Sequence, residues 1–223
     1  MRGAMIGAIA SSAIPAPSVT PVEFLATFAP QTATNNFNMG LTASGALDLS
    51  AYAADDLALV VALNWYANGG GPITYSCSYA GTPLDMMVGM DRSGGANYGC
   101  QLWVIQAPAA TGTLSATATG TANTGRNLWI SASLFANVDG WEAGTTATIA
   151  SGVAHDIALG AGEYAVNAMA AGQTISNYSQ TRRQYSTVGN LRGAIGDATG
   201  EGVQSFSSTG GTYNSALARL LPA

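Results

Sequence analysis

The sequence predicts an all-β fold: an antiparallel β-sandwich, jelly-roll-like, preceded by an extended N-terminal arm. Three observations lead there. Short apolar or alternating runs recur along the chain at close, regular spacing, parted by Gly-rich turns, which is the pattern of a sandwich or barrel. No segment keeps a helical period. Leu57 to Tyr66 (LALVVALNWY) has the continuous apolar centre of a buried sandwich strand.

Taken in order, Met1 to Pro17 reads MRGAMIGAIASSAIPAP. It is rich in Gly and Ala, short of Leu and broken early, so residues 1–20 are expected to be a retained arm rather than a cleaved leader. Residues 21–223 are expected to form a single β-sandwich domain, since no composition break or linker divides them. Glu23–Ala29 is the first strand. Asp55-Asp56 ends a turn before the strong strand at 57–66, because two adjacent side chains on a strand point to opposite faces and do not make a cation site. Ile73–Tyr79 and Leu84–Met90 flank Ala80-Gly81-Thr82-Pro83 and read as a hairpin. Asp91 to Tyr98 (DRSGGANY) is a loop by composition. Cys100–Gln106 follows, then Thr113–Thr119 with small and polar residues alternating. In Asn127–Phe135, Leu128, Ile130, Ala132 and Leu134 share one face, while Trp129, Ser131, Ser133 and Phe135 share the other. Asn137 to Gly144 (NVDGWEAG) is a turn-rich connection. Thr145–Ile149, Ala154–Leu159 and Glu163–Met169 are strands, and Ala170–Asn177 is a loop. Ser179–Tyr185, Leu191–Asp197, Val203–Ser207 and Tyr213–Leu220 complete the set.

The surface is polar but nearly uncharged. Charged residues are 9% of the chain, where about 25% is usual. All seven basic residues are arginines. Sheet edges are normally blunted by lysine or proline; without lysine, the edges here must be short, bulged or covered. The net charge of −5 and a single basic doublet, Arg182-Arg183, exclude a nucleic-acid groove. That doublet suits a strand end or an ion pair. No run reaches the length of a transmembrane helix.

Cys77 and Cys100 match no zinc spacing, and one histidine is too few to complete such a site. They form either a cross-strand disulfide, if their strands are neighbours, or two buried thiols. No G-x-S-x-G elbow and no phosphate-binding loop occur, and the Gly69-Gly70-Gly71 run has no helix behind it. His155, followed by Asp156, precedes an apolar run and reads as a turn or strand-end residue rather than a general base. The 12 acidic residues mostly border turns, and nothing singles out the facing pair that glycoside hydrolysis needs.

Several pieces occur in a recognisable order: DDLALVVALNW, ITYSCSYAGTPLDMMV, CQLWVIQAPAATGTLSATAT, WISASLFANVDGWEAGT, AGEYAVNAMAA and TYNSALARLLPA. Over residues 55–223 the chain resembles a β-sandwich module of bacterial surface proteins and phage tail proteins. It departs from that pattern at Tyr79-Ala80-Gly81, where the family has Tyr-Gly-Gly, and in carrying Cys77. The resemblance implies a minor tail or tail-tip protein of an actinobacteriophage, similar to those of mycobacteriophages: a non-enzymatic part of the virion, extracellular when assembled. The partners it implies are further copies of the chain, a trimer being natural around a tail axis, and other tail proteins. No cofactor is expected.

Contact with a host-envelope glycan is a further expectation. Sugar sites use aromatic faces flanked by polar groups, and Tyr66, Tyr98, Trp141, Tyr178 and Tyr185 lie near expected loops or strand ends. The alternative roles are a carbohydrate-binding module of a surface or secreted protein, a capsid decoration protein, or an enzyme acting on cell-wall polymers. Trp65, Trp103 and Trp129 lie within strands and are assigned to the core.

Overall fold

The computed structural model of the chain describes residues 19–35, 40–52, 56–68, 73–90, 98–120 and 124–223. The expected arm before Val19, Asp55, the run 69–71 and most of the loop expected at 91–98 lie outside them. In the first part of the chain the strands are β1 (Glu23–Thr27), β2 (Gln31–Asn35), β3 (Leu41–Asp48), β4 (Ala58–Asn68), β5 (Ile73–Tyr79), β6 (Thr82–Pro83), β7 (Asp85–Gly89), β8 (Tyr98–Gln106), β9 (Thr111–Gly120) and β10 (Thr124–Ala136). In the second they are β11 (Val138–Ile149), β12 (Ala154–Leu159), β13 (Tyr164–Ala171), β14 (Thr181–Val188), β15 (Leu191–Thr199), β16 (Gly202–Ser207) and β17 (Tyr213–Pro222). Every pairing among them is antiparallel. The fold is the all-β antiparallel sandwich that the sequence predicts. No helix of the described residues is long and apolar enough to cross a membrane.

The sheets stack as four layers. The outermost has the order β3-β9-β5-β6; the next is β1-β10-β4-β8-β7, with β2 also on β10. Then come β11-β17-β13-β15-β14 and the pair β12-β16. Two layers are therefore covered on both faces, and their sequences show it. In β4, Leu59, Val61, Leu63 and Trp65 face the β3-β9-β5-β6 sheet, while Ala58, Val60 and Ala62 face the β11–β15 sheet. In β13, Val166, Ala168 and Ala170 point to the second layer, and Ala165, Met169 and Ala171 to the β12-β16 pair. Small alanines alternate with larger residues on these strands, which lets facing layers come close. The two faces of β10 divide as expected: Leu128, Ile130, Ala132 and Leu134 fill one core, and Trp129 and Phe135 the other.

Two expectations are corrected. Ile73–Tyr79 does not pair with the strand after Leu84. The turn at Ala80-Gly81, both with positive φ, closes onto only Thr82-Pro83; the chain then leaves for the second layer, where β7 pairs β8. Leu84 is buried in the core between those layers, so the crossing carries an apolar anchor. And 137–144 is not a loop. Only Asn137, in the left-handed region at φ 58°, turns the chain from β10 into β11, whose Gly and acidic residues sit at two bulges, Val138/Gly140 and Ala143/Thr146. Turn-type residues inside a bulged edge strand look like a loop in sequence.

Five of the edge strands are blunted, while β3, β12 and β16 pair without a shift. β1, β7, β11 and β14 each carry a register shift, and β6 is two residues long. Bulges break the row of unpaired backbone groups that would otherwise template another strand. β3 runs eight residues without a shift, and β2, from the second layer, packs under its inner face with Gln31 against Gly45.

Candidate functional site

The five aromatics expected near loops separate into different places. Tyr66 and Tyr98 stand directly opposite each other on β4 and β8, with ring centroids 5.1 Å apart and planes tilted by 34°. Both are half-buried against the core between the second and third layers. The Tyr98 hydroxyl overlies Gly172, where an added Cβ would come within 2.2 Å of it, and Asn214 Nδ2 donates to the Tyr98 carbonyl at 2.6 Å. Burial raises the Tyr98 hydroxyl pKa, Tyr66 adds to the rise, and the positive charge of Arg192 opposes it. The two rings lie against each other, and the Tyr98 ring also covers Gly172. Neither hydroxyl has a protein partner among the described residues.

The others are committed to internal contacts. Trp141, on β11, packs on the same core from the far edge. Tyr185, on β14, receives the Arg182 guanidinium at 5.0 Å from its ring centroid. Tyr178 meets Phe206 edge-on and donates to Asn167 Oδ1 at 2.5 Å. The structure thus brings Tyr66 and Tyr98 together and holds Trp141, Tyr178 and Tyr185 in separate packing roles. Trp65 and Trp129 are fully buried and Trp103 nearly so.

Between the third and fourth layers runs a polar chain. Asn167 Nδ2 donates to Ser215 Oγ at 2.9 Å and to the Ala216 carbonyl at 3.0 Å. Ser215 Oγ lies 2.9 Å from His155 Nδ1, and His155 Nε2 lies 2.8 Å from Thr145 Oγ1. Two neutral tautomers satisfy these contacts: Ser215 donates to Nδ1 while Nε2–H donates to Thr145, or Nδ1–H donates to Ser215 while Thr145 donates to Nε2. Burial lowers the His155 pKa, only partly offset by Asp156. A Ser–His contact of this kind can activate a nucleophile where substrate reaches the hydroxyl. Ser215 is wholly buried, and here the contact belongs to a network that cross-links β11, β12, β13 and β17 and satisfies their polar groups. His155 lies in β12, one residue from its start, as the strand-end expectation has it.

A second cluster fixes β1 to the third layer. Arg183 Nε bonds Asp197 Oδ2 at 2.5 Å, and its Nη2 donates to the Tyr164 hydroxyl at 3.2 Å. Burial pushes the Asp197 carboxyl up, and the bonds from Arg183 and Tyr164 pull it back. On Arg183 burial works against the charge, but its bonds to Asp197 and Tyr164 together outweigh it and hold the guanidinium above its ordinary value. The basic doublet is therefore divided: Arg183 makes the ion pair, and Arg182 stacks on Tyr185 and donates to the Ile175 carbonyl.

Cys77 and Cys100 are both free and buried, and they lie in different cores. The disulfide alternative falls, because β5 and β8 belong to different sheets and the two thiols face opposite sides of the second layer. Among the described residues no group of three or more His, Cys, Asp or Glu is placed to hold a metal ion. Sequence reasoning missed Asn167, Ser215, Asp197 and Tyr164. The available signal was a lone Asn inside the otherwise apolar YAVNAMAA, since a polar residue in a buried run demands a partner.

No protein-family model, curated protein or solved structure matches the chain.

Proposed function

We propose that the chain is a structural, non-enzymatic subunit of a phage tail or tail tip, present in several copies and contributing to attachment at the host surface. One observation carries this reading: the way the N-terminal segment enters the body. Thr20 N donates to the carbonyl of Ala223, Val22 N to that of Gly162, and Asn137 Nδ2 to that of Pro21. Val19 and Pro21 lie against Gly162. The described chain is therefore anchored from Val19 onward at a fixed point beside Ala223, where a preceding arm would leave the body toward a neighbouring subunit. The bulged edges add support, since they disfavour strand addition and leave contacts to faces and arms.

The test is the mass in solution of the full chain beside a variant lacking residues 1–18, which keeps the anchoring bonds. An oligomer that falls to a monomer without the segment is expected. A monomer in both cases would count against this reading.

A second reading, a carbohydrate-binding module, is favoured by the Tyr66–Tyr98 pair alone. It requires that Tyr66→Ala and Tyr98→Ala each abolish retention on host-envelope glycans while the protein stays folded.

A further inference from the structure

No outside substrate reaches the buried Ser215 hydroxyl, but an amide inside the fold does. Asn167 and Ser215 lie on β13 and β17, neighbours in the third layer, with Asn167 opposite Leu217 and Ser215 opposite Met169. Both side chains share the face toward the β12-β16 pair with Met169 and Leu217. Ser215 Oγ stands 2.9 Å from Asn167 Nδ2, so the carboxamide carbon is one bond from an atom that the hydroxyl already touches. The same hydroxyl meets His155 Nδ1 at 2.9 Å, and His155 Nε2 meets Thr145 Oγ1 at 2.8 Å. The carboxamide oxygen accepts from the Tyr178 hydroxyl at 2.5 Å. Asn167 and Ser215 are both wholly buried.

These are the parts of an acyl transfer. There is a hydroxyl nucleophile, a base within hydrogen-bond reach, a third group that orients the base, and a donor on the oxygen where charge develops. The electrophile is a side-chain amide of the same chain. We propose that Ser215 and Asn167 join in an intramolecular ester that the fold itself forms. In the tautomer with Nε2–H on Thr145, Nδ1 takes the Ser215 proton as Oγ attacks Asn167 Cγ. The C–O bond forms, the carbonyl electron pair moves onto Oδ1, and the Tyr178 hydroxyl stabilises that oxyanion. When the pair returns, the Cγ–Nδ2 bond breaks and the proton held by His155 passes to the leaving nitrogen. One ammonia departs and one ester remains, with no cofactor or oxidant taking part. Burial keeps the His155 ring neutral, able to accept a proton, and keeps the Tyr178 phenol protonated as a donor. An amide is a poor electrophile in water; here fixed positioning lowers the barrier, and the dry site protects the ester from hydrolysis. The bond would tie two adjacent strands across 48 residues of chain. The reaction runs once per chain, without turnover.

This inference is independent of the tail proposal, whose test reads the mass of an assembly. Here the denatured full chain is weighed by mass spectrometry and then mapped. Cleavage after arginine leaves Asn167 within residues 127–182 and Ser215 within residues 193–219. The wild type is expected to be lighter than its sequence by one ammonia and to yield those two peptides joined. Hydroxylamine, which cleaves esters and spares amides, should part them. Ser215→Ala should keep its full mass, and a folded His155→Gln should form the link about 100-fold more slowly. A wild-type chain of full mass with two separate peptides would overturn the proposal and leave the contacts as hydrogen bonds only. Loss of ammonia without joined peptides would do the same, since a succinimide at Asn167 loses ammonia too. A folded H155Q that links at the wild-type rate would overturn the role of His155 as base. The wild-type peptide map decides the bond without any variant, so a misfolded S215A or H155Q leaves the test standing.

Discussion

Arg183 lays its guanidinium on the ring of Phe24, 3.5 Å from the centroid, while its Nε holds Asp197. One side chain from β14 thereby ties the first strand of the second layer to the third. Phe24 in turn meets Phe135 edge-on, and Phe135 meets Tyr164, which bonds the same guanidinium. The ring chain and the ion pair close on each other.

Removing Arg183 therefore strips a cover from Phe24 and leaves the Asp197 carboxylate, 2% exposed, without its cation. Breaking one side of a buried pair costs about 3–5 kcal/mol. Urea unfolding of Arg183→Leu should show a loss of about that size, and adding Asp197→Asn should recover much of it. A single variant within about 0.5 kcal/mol of wild type would mean that the pair contributes nothing net.

His155 makes stability fall on the acid side. Its folded pKa is lowered from the ordinary 6.5 by burial, so the unfolded chain takes up the proton first. The contribution is fully present above about pH 6.5 and is lost as pH falls from there through the folded pKa. Protonation makes both ring nitrogens donors, so neither Ser215 nor Thr145 can any longer donate to the ring. The difference in unfolding free energy between wild type and His155→Gln should thus be constant above about pH 7 and shrink below about pH 6. A pH-independent difference would remove His155 from the acid limb.

Both cysteines should be silent in the native state. Burial holds each thiol protonated, well above its ordinary range, and the thiolate is the reactive form. A thiol reagent should titrate neither in buffer and both in denaturant, and mass spectrometry without reductant should find no linkage between them. Rapid native labelling of either would contradict the packing.

Gly193 tests the joint between the second and third layers. A Cβ there would lie 2.8 Å from the Trp129 ring and 3.1 Å from Asn64 Nδ2. Gly193→Ala should destabilise by about 1–3 kcal/mol through overpacking, read as a lower melting midpoint. Pairing it with Trp129→Phe, which opens space on the facing strand, should show less than additive loss.

By itself the sequence determined the class of fold, most strands and the direction of many side chains. Alternation is a local property, so Leu128–Leu134 and Trp129–Phe135 could be assigned to opposite faces of β10 before any partner was known. Local pattern also placed Ile73–Tyr79 and Ala154–Leu159 at their observed bounds. Local pattern was insufficient where a strand is bulged, as in β11, or where its alternation is of small polar residues, as in β3, which carried no apolar signal strong enough to stand out. Only the tertiary structure decided what faces what. It put Cys77 and Cys100 on opposite sides of one sheet, sent the chain across layers at Leu84, and brought Asn167, Ser215 and His155 into one hydrogen-bonded chain from three separate strands. It likewise joined Tyr66 to Tyr98 and left Trp141 apart. The reason is physical: in a stacked antiparallel fold nearly every stabilising contact links residues distant in sequence, and the pairing of strands and the order of layers are set by the summed burial of many faces. No single segment carries that information.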